Sequence, residues 1–342
     1  MCYNLFINIF MKGQLKMQVS LTTEQIEAIN NTKALINEIK KVIIGKDEVI
    51  IKTLIAILAK GHILFEDIPG VGKTTLALAL SKSLSLDYKR LQFTPDVLPS
   101  DVTGFSIYNK ENGSFMFKEG AAMTNLFLAD EINRTSSKTQ SALLQIMEEG
   151  KITVEGVTKN APDPYIVIAT QNPIGSIGTQ MLPESQLDRF IIKLSMGYPD
   201  LESEIGMLKS KEGGNPIDSV NAVVSVSQLR NARKIVEEIY VSDKVYEYIA
   251  RIVKATREHS FVKLGVSPRG AIALVNATKA TALLKGRNYA QPDDVLYAIK
   301  DVIGHRIILN SKAKVNGADV NSVINEIINS VEAPKVAKAG IL

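Results

Sequence analysis

The stretch GHILFEDIPGVGKTTLALAL, residues 61–80, decides the fold because it joins three patterns in one short run. HILFED (62–67) is an apolar, strand-like run, and TTLALALSKSL (74–84) has the apolar spacing of a helix. Between them stands IPGVGKTT (68–75), a glycine-rich turn that ends in lysine and threonines. A strand, a glycine-rich turn and a helix in this order are the context that a phosphate-binding loop requires.

The chemistry of this turn follows from its residues. Glycines let successive backbone N–H groups turn inward around a phosphate, and the following helix presents its positive end. Lys73 would reach the β and γ phosphates as a point charge, and the Thr74 hydroxyl would ligate Mg²⁺. The alternative is a glycine-rich turn with a purely structural role. The predicted nucleotide-binding residues of the loop are Pro69, Gly70, Val71, Gly72, Lys73, Thr74 and Thr75.

Asp67 departs from the pattern G-x-x-x-x-G-K-[ST], which begins with glycine. A carboxylate ~8 Å from a phosphate charge costs about 2 kcal/mol at an effective dielectric constant of ~20, which is roughly thirtyfold in affinity. This cost is an upper limit, because the side chain could point away or pair with a cation. The sequence therefore predicts nucleotide binding that is weakened and not abolished.

Further apolar runs follow at the spacing of an α/β fold, with helical patterns between them. Near-continuous apolar runs are typical of parallel strands that are buried on both faces. The pattern predicts a doubly wound parallel five-stranded sheet. The four further strand runs are KRLQF (89–93), LFLAD (126–130), YIVIAT (165–170) and FIIKL (190–194).

Two stretches interrupt this alternation: residues 104–120 predict an inserted β-hairpin, and residues 151–169 predict a second hairpin that leads into the fourth strand. After Tyr198 the composition changes, and the remainder is predominantly helical. We therefore expect an all-helical second domain at the C-terminal end. The predicted divisions are a disordered or mis-started extension at 1–20, a core at 21–198, a linker at 199–225 and a helical lid at 226–342.

Composition excludes several classes of protein. The chain has 342 residues, 45% hydrophobic and 22% charged, which rules out a wholly disordered chain. Its single cysteine, Cys2, excludes a disulfide framework, and a net charge of +4 is too small for a dedicated nucleic-acid binder. The apolar N-terminal run ends at Lys12, short of the ~20 residues that a membrane span needs. We expect a cytoplasmic protein without a membrane span.

Polar residues stand at the ends of two predicted strands. LFLAD is followed by Glu131, so Asp130 and Glu131 should emerge beside the phosphate loop, where parallel strands end. Asp130 would hold Mg²⁺, and Glu131 would polarise an attacking water. Asn172 follows the fourth strand, and its amide could hydrogen-bond the γ-phosphate and that water. Its alternative is an ordinary turn residue.

With these motifs in place, the chain resembles the MoxR-type AAA+ ATPases. The resemblance spans about residues 42–308 and includes non-catalytic runs such as QFTPD. The stretches that carry it are VIIGKDEVI (42–50), GHILFEDIPGVGKTTLALAL (61–80), RLQFTPDVLPSDVTG (90–104), LFLADEINR (126–134), TQSALLQIMEEGKITV (139–154), IATQNPIG (168–175), LPESQLDRF (182–190) and GVSPRGAIALV (265–275).

The resemblance implies a phosphate-loop NTPase core with inserted hairpins and a helical lid, and it implies roles for further residues. Ile44 and Gly45 would line the adenine pocket. Asn172 would be the residue called sensor 1. Arg189, in LDRF, resembles the arginine finger that completes a neighbouring subunit's site, and Arg269, in SPRG, resembles sensor 2.

The function implied by this resemblance is Mg²⁺-dependent ATP hydrolysis that remodels or activates a client protein in the manner of a chaperone. We expect a homo-oligomer, six subunits being usual in the superfamily, and a client that carries a von Willebrand factor A domain. One alternative is a nucleotide-gated scaffold with little ATP turnover, which is suggested by Asp67 in place of the first glycine of the loop. Another is a DNA-handling motor, suggested by basic residues in the lid, Lys285, Arg287, Lys300, His305 and Arg306.

Overall fold

The computed structural model describes residues 21–111, 113–172, 181–210 and 214–334, so the predicted extension at 1–20 lies outside the described residues. The strands are β1 (Ile63–Glu66), β2 (Tyr88–Gln92), β3 (Gly104–Asn109), β4 (Ser114–Glu119), β5 (Leu126–Asp130), β6 (Lys151–Val154), β7 (Val157–Asn160), β8 (Ile166–Gln171), β9 (Ile192–Leu194), β10 (Val262–Leu264) and β11 (Ile308–Leu309).

Several helices begin with side-chain caps; in α1, for example, Thr22 and Gln25 form a reciprocal capping box. The helices are α1 (Thr23–Lys40), α2 (Asp47–Leu58), α3 (Lys73–Ser83), α4 (Pro99–Thr103), α5 (Ser137–Glu149), α6 (Glu184–Leu187), α7 (Leu201–Ser210), α8 (Val226–Glu238), α9 (Asp243–Glu258), α10 (Pro268–Leu284), α11 (Pro292–Ile303), α12 (Ser311–Val315) and α13 (Val320–Ser330).

Five strands form one parallel sheet in the order β2-β5-β8-β1-β9. Every residue of β5 and β8 is buried, as expected where helices cover both faces. Each strand overlaps its predicted run, and the predicted parallel five-stranded sheet is confirmed. Because all five strands run the same way, β1, β5 and β8 deliver their last residues to the same edge.

Side chains alternate between the two faces of the sheet and build two buried clusters. Ile63 and Phe65 of β1 belong to a cluster that includes α1, α2, α3 and the lid helices. Leu64 points the other way and packs in a second cluster with Leu143 and Leu144 of α5. The lid therefore shares its apolar core with one face of the sheet.

Both predicted hairpins are present. In the first, β3 and β4 pair antiparallel from Gly104 opposite Glu119 to Asn109 opposite Ser114. Gly104 adopts a φ of +96°, and a Cβ there would lie 2.4 Å from the carbonyl oxygen of Lys118, so only glycine fits. The second hairpin, β6 with β7, leads directly into β8.

The stretch predicted as a linker, 199–225, contains α7 and a short 3₁₀ turn at Pro216–Ser219. The predicted C-terminal helical lid is confirmed, and it also carries an antiparallel pair, β10 with β11. Such a two-residue pairing is too short to be read from apolar alternation. Across the described segments, no helix has the length and apolar character needed to span a membrane.

Candidate nucleotide site

The loop between β1 and α3 has the backbone conformation of a phosphate cradle. Gly70 and Gly72 have φ values of +85° and +94°, in the left-handed region that favours glycine. A Cβ on Gly70 would meet nothing within 4 Å, so the backbone conformation and not crowding demands glycine there. Lys73 and Thr74 are the first residues of α3, so the helix points its free N–H groups at the loop.

Lys73 lies inside this loop and is 8% exposed. Its Nζ donates to the carbonyl oxygen of Ile68 at 2.7 Å and to that of Asp67 at 3.3 Å. Burial lowers the pKa of Lys73 from its usual value, and the negative charges of Asp67, Asp130 and Glu131 oppose that shift. The ammonium group is therefore a buried positive charge that faces the strand-end carboxylates.

Asp130, the last residue of β5, has both carboxylate oxygens engaged. Its Oδ1 accepts a hydrogen bond from the Thr170 hydroxyl at 2.7 Å. Its Oδ2 accepts from the Arg90 guanidinium on β2, from Nη2 at 2.7 Å and from Nε at 3.2 Å. Sequence reasoning missed Arg90 and Thr170, although both lie in strands that it predicted.

Glu131 follows directly and has a φ of +55°, an uncommon conformation for a residue with a side chain. Its backbone N–H donates to the Thr170 hydroxyl at 2.8 Å, so Thr170 ties both acidic residues to β8. Its carboxylate accepts from Arg134 Nη1 at 2.8 Å and from Asn172 Nδ2 at 3.3 Å. The structure thus brings together Glu131 and Asn172, which are 41 positions apart.

The carboxylate of Asp67 is held by donors from the turn that follows β9. Its Oδ2 accepts hydrogen bonds from the Ser195 hydroxyl at 3.2 Å, the Gly197 N–H at 3.2 Å and the Met196 N–H. The side chain is buried and lies against the turn that follows β9. Three donors therefore compensate its charge, so the cost to nucleotide binding should lie below the upper limit of about 2 kcal/mol.

Ile44 and Gly45 lie against α7. A Cβ on Gly45, whose φ is +72°, would lie 1.9 Å from Ser203 Oγ, and a Cβ on Gly206 would lie 3.5 Å from Ile44 Cγ2. Met196 Cε approaches the Cβ position of Gly72 to 3.7 Å. The chain from Met196 to Ser203 therefore runs from the phosphate loop to the predicted adenine pocket. Thr74 is half-buried and Thr75 exposed in the first turn of α3.

Arg189 and Arg269 lie elsewhere and share one partner, Glu148, near the end of α5. Arg189 pairs with Glu148 at 3.2 Å and donates to the carbonyl oxygen of Leu144 at 2.7 Å, while Arg269 binds the other oxygen of Glu148. Met147, the residue before Glu148, accepts a hydrogen bond from His62 at 3.0 Å.

The position of His62 shows which edge of the sheet this arginine pair occupies. His62 stands before the first residue of β1, whereas the phosphate loop follows the last one. The two arginines are thus separated from their own loop by the length of β1, four residues or roughly 13 Å. The seven predicted catalytic and metal-binding side chains therefore fall into two groups, Lys73, Thr74, Asp130, Glu131 and Asn172 at one edge of the sheet and the arginine pair at the other.

Comparison with known proteins matches two families. Residues 62–192 match the ATPase family associated with various cellular activities (AAA), and residues 254–327 match the AAA lid domain.

Individual relatives cover most of the chain. The uncharacterized protein YeaC of Bacillus subtilis is 48% identical over 299 residues, which cover 87% of this chain and 93% of YeaC. The chaperone MoxR1 of Mycobacterium tuberculosis is 35% identical over 317 residues, which cover 90% of this chain and 84% of MoxR1. A crystal structure of a Cytophaga hutchinsonii protein, described as a candidate ATPase, superposes with a TM-score of 0.85 at 38% identity, covering 91% of this chain and 97% of that one. Since the similarity to MoxR1 runs through both the sheet and the lid, the chain belongs to the MoxR family of AAA+ ATPases.

Proposed function

We propose that the chain is a Mg²⁺-dependent ATPase that works as a homo-oligomer and uses ATP turnover to remodel or activate a client protein. The observation that carries this proposal is the contact between Glu131 and Asn172 at the edge of the sheet where Lys73 lies buried in its loop. A carboxylate and an amide at this point can orient a water molecule toward a phosphate held by the loop.

The residues of the loop would bind ATP. Backbone N–H groups of residues 70–75 and the Lys73 ammonium would hold the phosphates, while Ile44 and Gly45 would contact the adenine. Thr74 and Asp130 would hold Mg²⁺, for which their oxygen atoms are suitable ligands. Bound Mg²⁺ supplies positive charge beside the phosphates. Arg90, which pairs with Asp130 in this structure, would have to release one carboxylate oxygen for that purpose.

Glu131 would act as the base that polarises the attacking water. Its carboxylate is held from two sides, by Arg134 and by Asn172, and its backbone by Thr170. These contacts hold the unusual φ of Glu131 and fix the direction in which its carboxylate points. Asn172 would contact the γ-phosphate in addition to Glu131.

Arg189 and Arg269 would act on the nucleotide of a neighbouring subunit. Both stand at the edge of the sheet opposite their own loop, so neither is placed to reach the phosphates that this loop would hold. A guanidinium from a neighbour would match the charge that grows on the γ-phosphoryl oxygens with two hydrogen bonds. Activity would then depend on assembly, for which a ring of six is the expectation of the superfamily.

Two observations weigh against the alternatives. Asp67 was the reason for considering a scaffold without turnover, and the three hydrogen bonds to its buried carboxylate weaken that reason. Of the basic residues that suggested DNA binding, His305 and Arg306 are buried, and Lys285 and Arg287 pair with the buried carboxylate of Asp294. A protein client, with a von Willebrand factor A domain as the family expectation, and a cytoplasmic location remain part of the proposal.

Steady-state phosphate release tests the enzymatic part. Wild type should hydrolyse ATP. Glu131→Gln should still bind ATP, but it should release phosphate at least a hundredfold more slowly. Negligible release by both proteins would overturn the proposal in favour of the scaffold. The Glu131→Gln protein with ATP should also capture the client in a pull-down, and Lys73→Ala, which we expect not to bind ATP, is the matched control.

The intersubunit part is tested by mixing two inactive proteins. Arg189→Ala keeps an intact loop, and Lys73→Ala keeps an intact arginine pair. If the arginines act on a neighbour, mixing should restore part of the turnover, because some interfaces combine the two intact halves. A mixture no more active than either protein alone would contradict a site shared between subunits.

A further inference from the structure

The chain segment that carries Arg189 is held by a buried arginine of the lid, Arg306. The Arg306 side chain is 2% exposed and projects from the turn after α11. Its Nη2 donates to the carbonyl oxygens of Asp188 at 3.0 Å and Phe190 at 2.6 Å, and its Nη1 to that of Ile191 at 3.2 Å. One guanidinium therefore satisfies the backbone on both sides of Arg189.

The same guanidinium forms an ion pair with the side chain of Asp188. Arg306 Nε lies 2.6 Å from Asp188 Oδ1. The second oxygen, Oδ2, accepts a hydrogen bond from the Ser267 hydroxyl at 2.8 Å. Ser267 is the N-cap of α10, where its hydroxyl also accepts from the Gly270 N–H at 3.0 Å. Arg269 is the second residue of that helix, so one carboxylate links the backbone positions of both arginines of the pair.

The packing leaves little freedom in this contact. A Cβ on Gly270 would lie 2.7 Å from Arg306 Cδ and 3.0 Å from Arg306 Nε. The helix that carries Arg269 can therefore approach the Arg306 guanidinium only because residue 270 has no side chain. Asp188, Ser267 and Arg306 form a buried to half-buried joint between the sheet and the lid.

We propose that Asp188, held between Arg306 and Ser267, is a positioning residue that sets Arg189 and Arg269 as one rigid unit for the neighbouring subunit's site. This inference rests on the proposed intersubunit role of the two arginines. Its physical basis is that a largely buried charge pair, whose guanidinium also binds three backbone carbonyls, fixes geometry better than the contacts with Glu148, which is 40% exposed. Displacement of the lid relative to the sheet would then move both arginines together.

The test uses the mixture of two variants described above. Lys73→Ala supplies an intact arginine pair and is called the donor, and Arg189→Ala supplies the intact phosphate loop and is called the acceptor. Asp188→Asn keeps the shape of the side chain and removes its charge. Added to the donor, it should lower the restored kcat at least tenfold and leave the KM for ATP within twofold. Added to the acceptor, it should leave the restored turnover within twofold, because the acceptor's own arginine pair is already inactive. Asp243→Asn, at an exposed carboxylate of the lid, is the matched control in the donor.

The outcomes separate this inference from the proposed function. If the parent mixture restores no turnover, the intersubunit role fails, and the positioning role fails with it. If the parent mixture is active and Asp188→Asn is harmless in the donor, the positioning role alone is wrong. An equal loss from donor and acceptor would show a general structural effect and would also overturn it.

A second pair of variants protects the test against misfolding of Asp188→Asn. Asparagine and aspartate are both good N-cap residues, so Ser267→Asn and Ser267→Asp should each preserve the start of α10. Only asparagine can donate a hydrogen bond to Asp188. We therefore expect a donor-specific loss of at least tenfold with Ser267→Asp and a loss of less than threefold with Ser267→Asn. Equal effects of the two substitutions would contradict the proposal.

Discussion

Replacement of Asp67 by asparagine tests how the phosphate loop handles a carboxylate in place of its first glycine. The substitution keeps the shape of the side chain and removes one negative charge. If that charge acted on the nucleotide across ~8 Å, its removal would recover about 2 kcal/mol and tighten ATP binding roughly thirtyfold. The structure leads to a different expectation, because three donors from Ser195, Met196 and Gly197 converge on one oxygen of the carboxylate.

The magnitude follows from these contacts. Hydrogen bonds to a charged group contribute about 1.5–3 kcal/mol, and their neutral counterparts roughly half as much. Since the three donors share one acceptor oxygen, we expect Asp67→Asn to lower the free energy of unfolding by about 2 kcal/mol in total. The melting temperature should then fall by roughly 3 °C. The dissociation constant for ATP should stay equal or weaken by at most threefold.

Titration with a fluorescent ATP analogue measures the affinity, and thermal denaturation measures the stability. Asp87→Asn removes the same charge from an exposed position and should change neither quantity appreciably. Tightening of ATP binding by tenfold or more in Asp67→Asn, with unchanged stability, would refute the reasoning. It would mean that the charge of Asp67 reaches the phosphates in spite of its three donors.

Three further expectations concern the loop, a buried histidine and the lid. Gly72→Ala should lower stability by about 1–2 kcal/mol, because φ is +94° there, and should weaken ATP binding at least tenfold. Gly150→Ala, at a φ of +62° after α5, should lower stability without changing ATP binding. Equal ATP affinities of the two variants would contradict this expectation. Burial holds the pKa of His62 at about 4, below its usual 6.5, so the unfolded state binds the proton first. The free energy of unfolding should therefore fall by up to about 3 kcal/mol as pH is lowered from 6.5 to 4, and urea denaturation of His62→Gln should show a shallower pH dependence than wild type. Asp294→Asn should lower stability by about 3–5 kcal/mol, since it removes the buried carboxylate that pairs with Lys285 and Arg287. In the same denaturation assay, substitution of its exposed neighbour, Asp293→Asn, should have little effect.

Much of the fold could be predicted from local runs of residues. Buried parallel strands are continuous apolar runs, and LFLAD became β5 with the predicted bounds, Leu126–Asp130. The loop from Pro69 to Thr75 could be identified because its function depends on contiguous backbone N–H groups and on the helix that follows. Asp130 and Glu131 could be assigned to the same edge because parallel strands all end there.

Other features depend on contacts between residues that are distant in the chain. The orientation of Asp67 depends on donors about 130 positions away, and a lone carboxylate in a sequence does not reveal its partners. Thr170 could not be singled out from its strand, because its hydroxyl matters only once β8 lies beside β5. The sequence suggested that the basic residues of the lid form a charged surface. In the structure, one of them, Arg306, is buried beside Asp188.

The sequence by itself determined the sheet, the phosphate loop and the acidic strand end, since each depends on neighbouring residues and on the regular geometry of strands and helices. Only the tertiary structure decided that Arg189 and Arg269 stand together and away from their own loop. Their common framework joins Asp188 to Ser267 and Arg306, which are 79 and 118 positions further along the chain. Contacts at such separation are fixed by how the lid packs on the sheet, and no local pattern of residues encodes that packing.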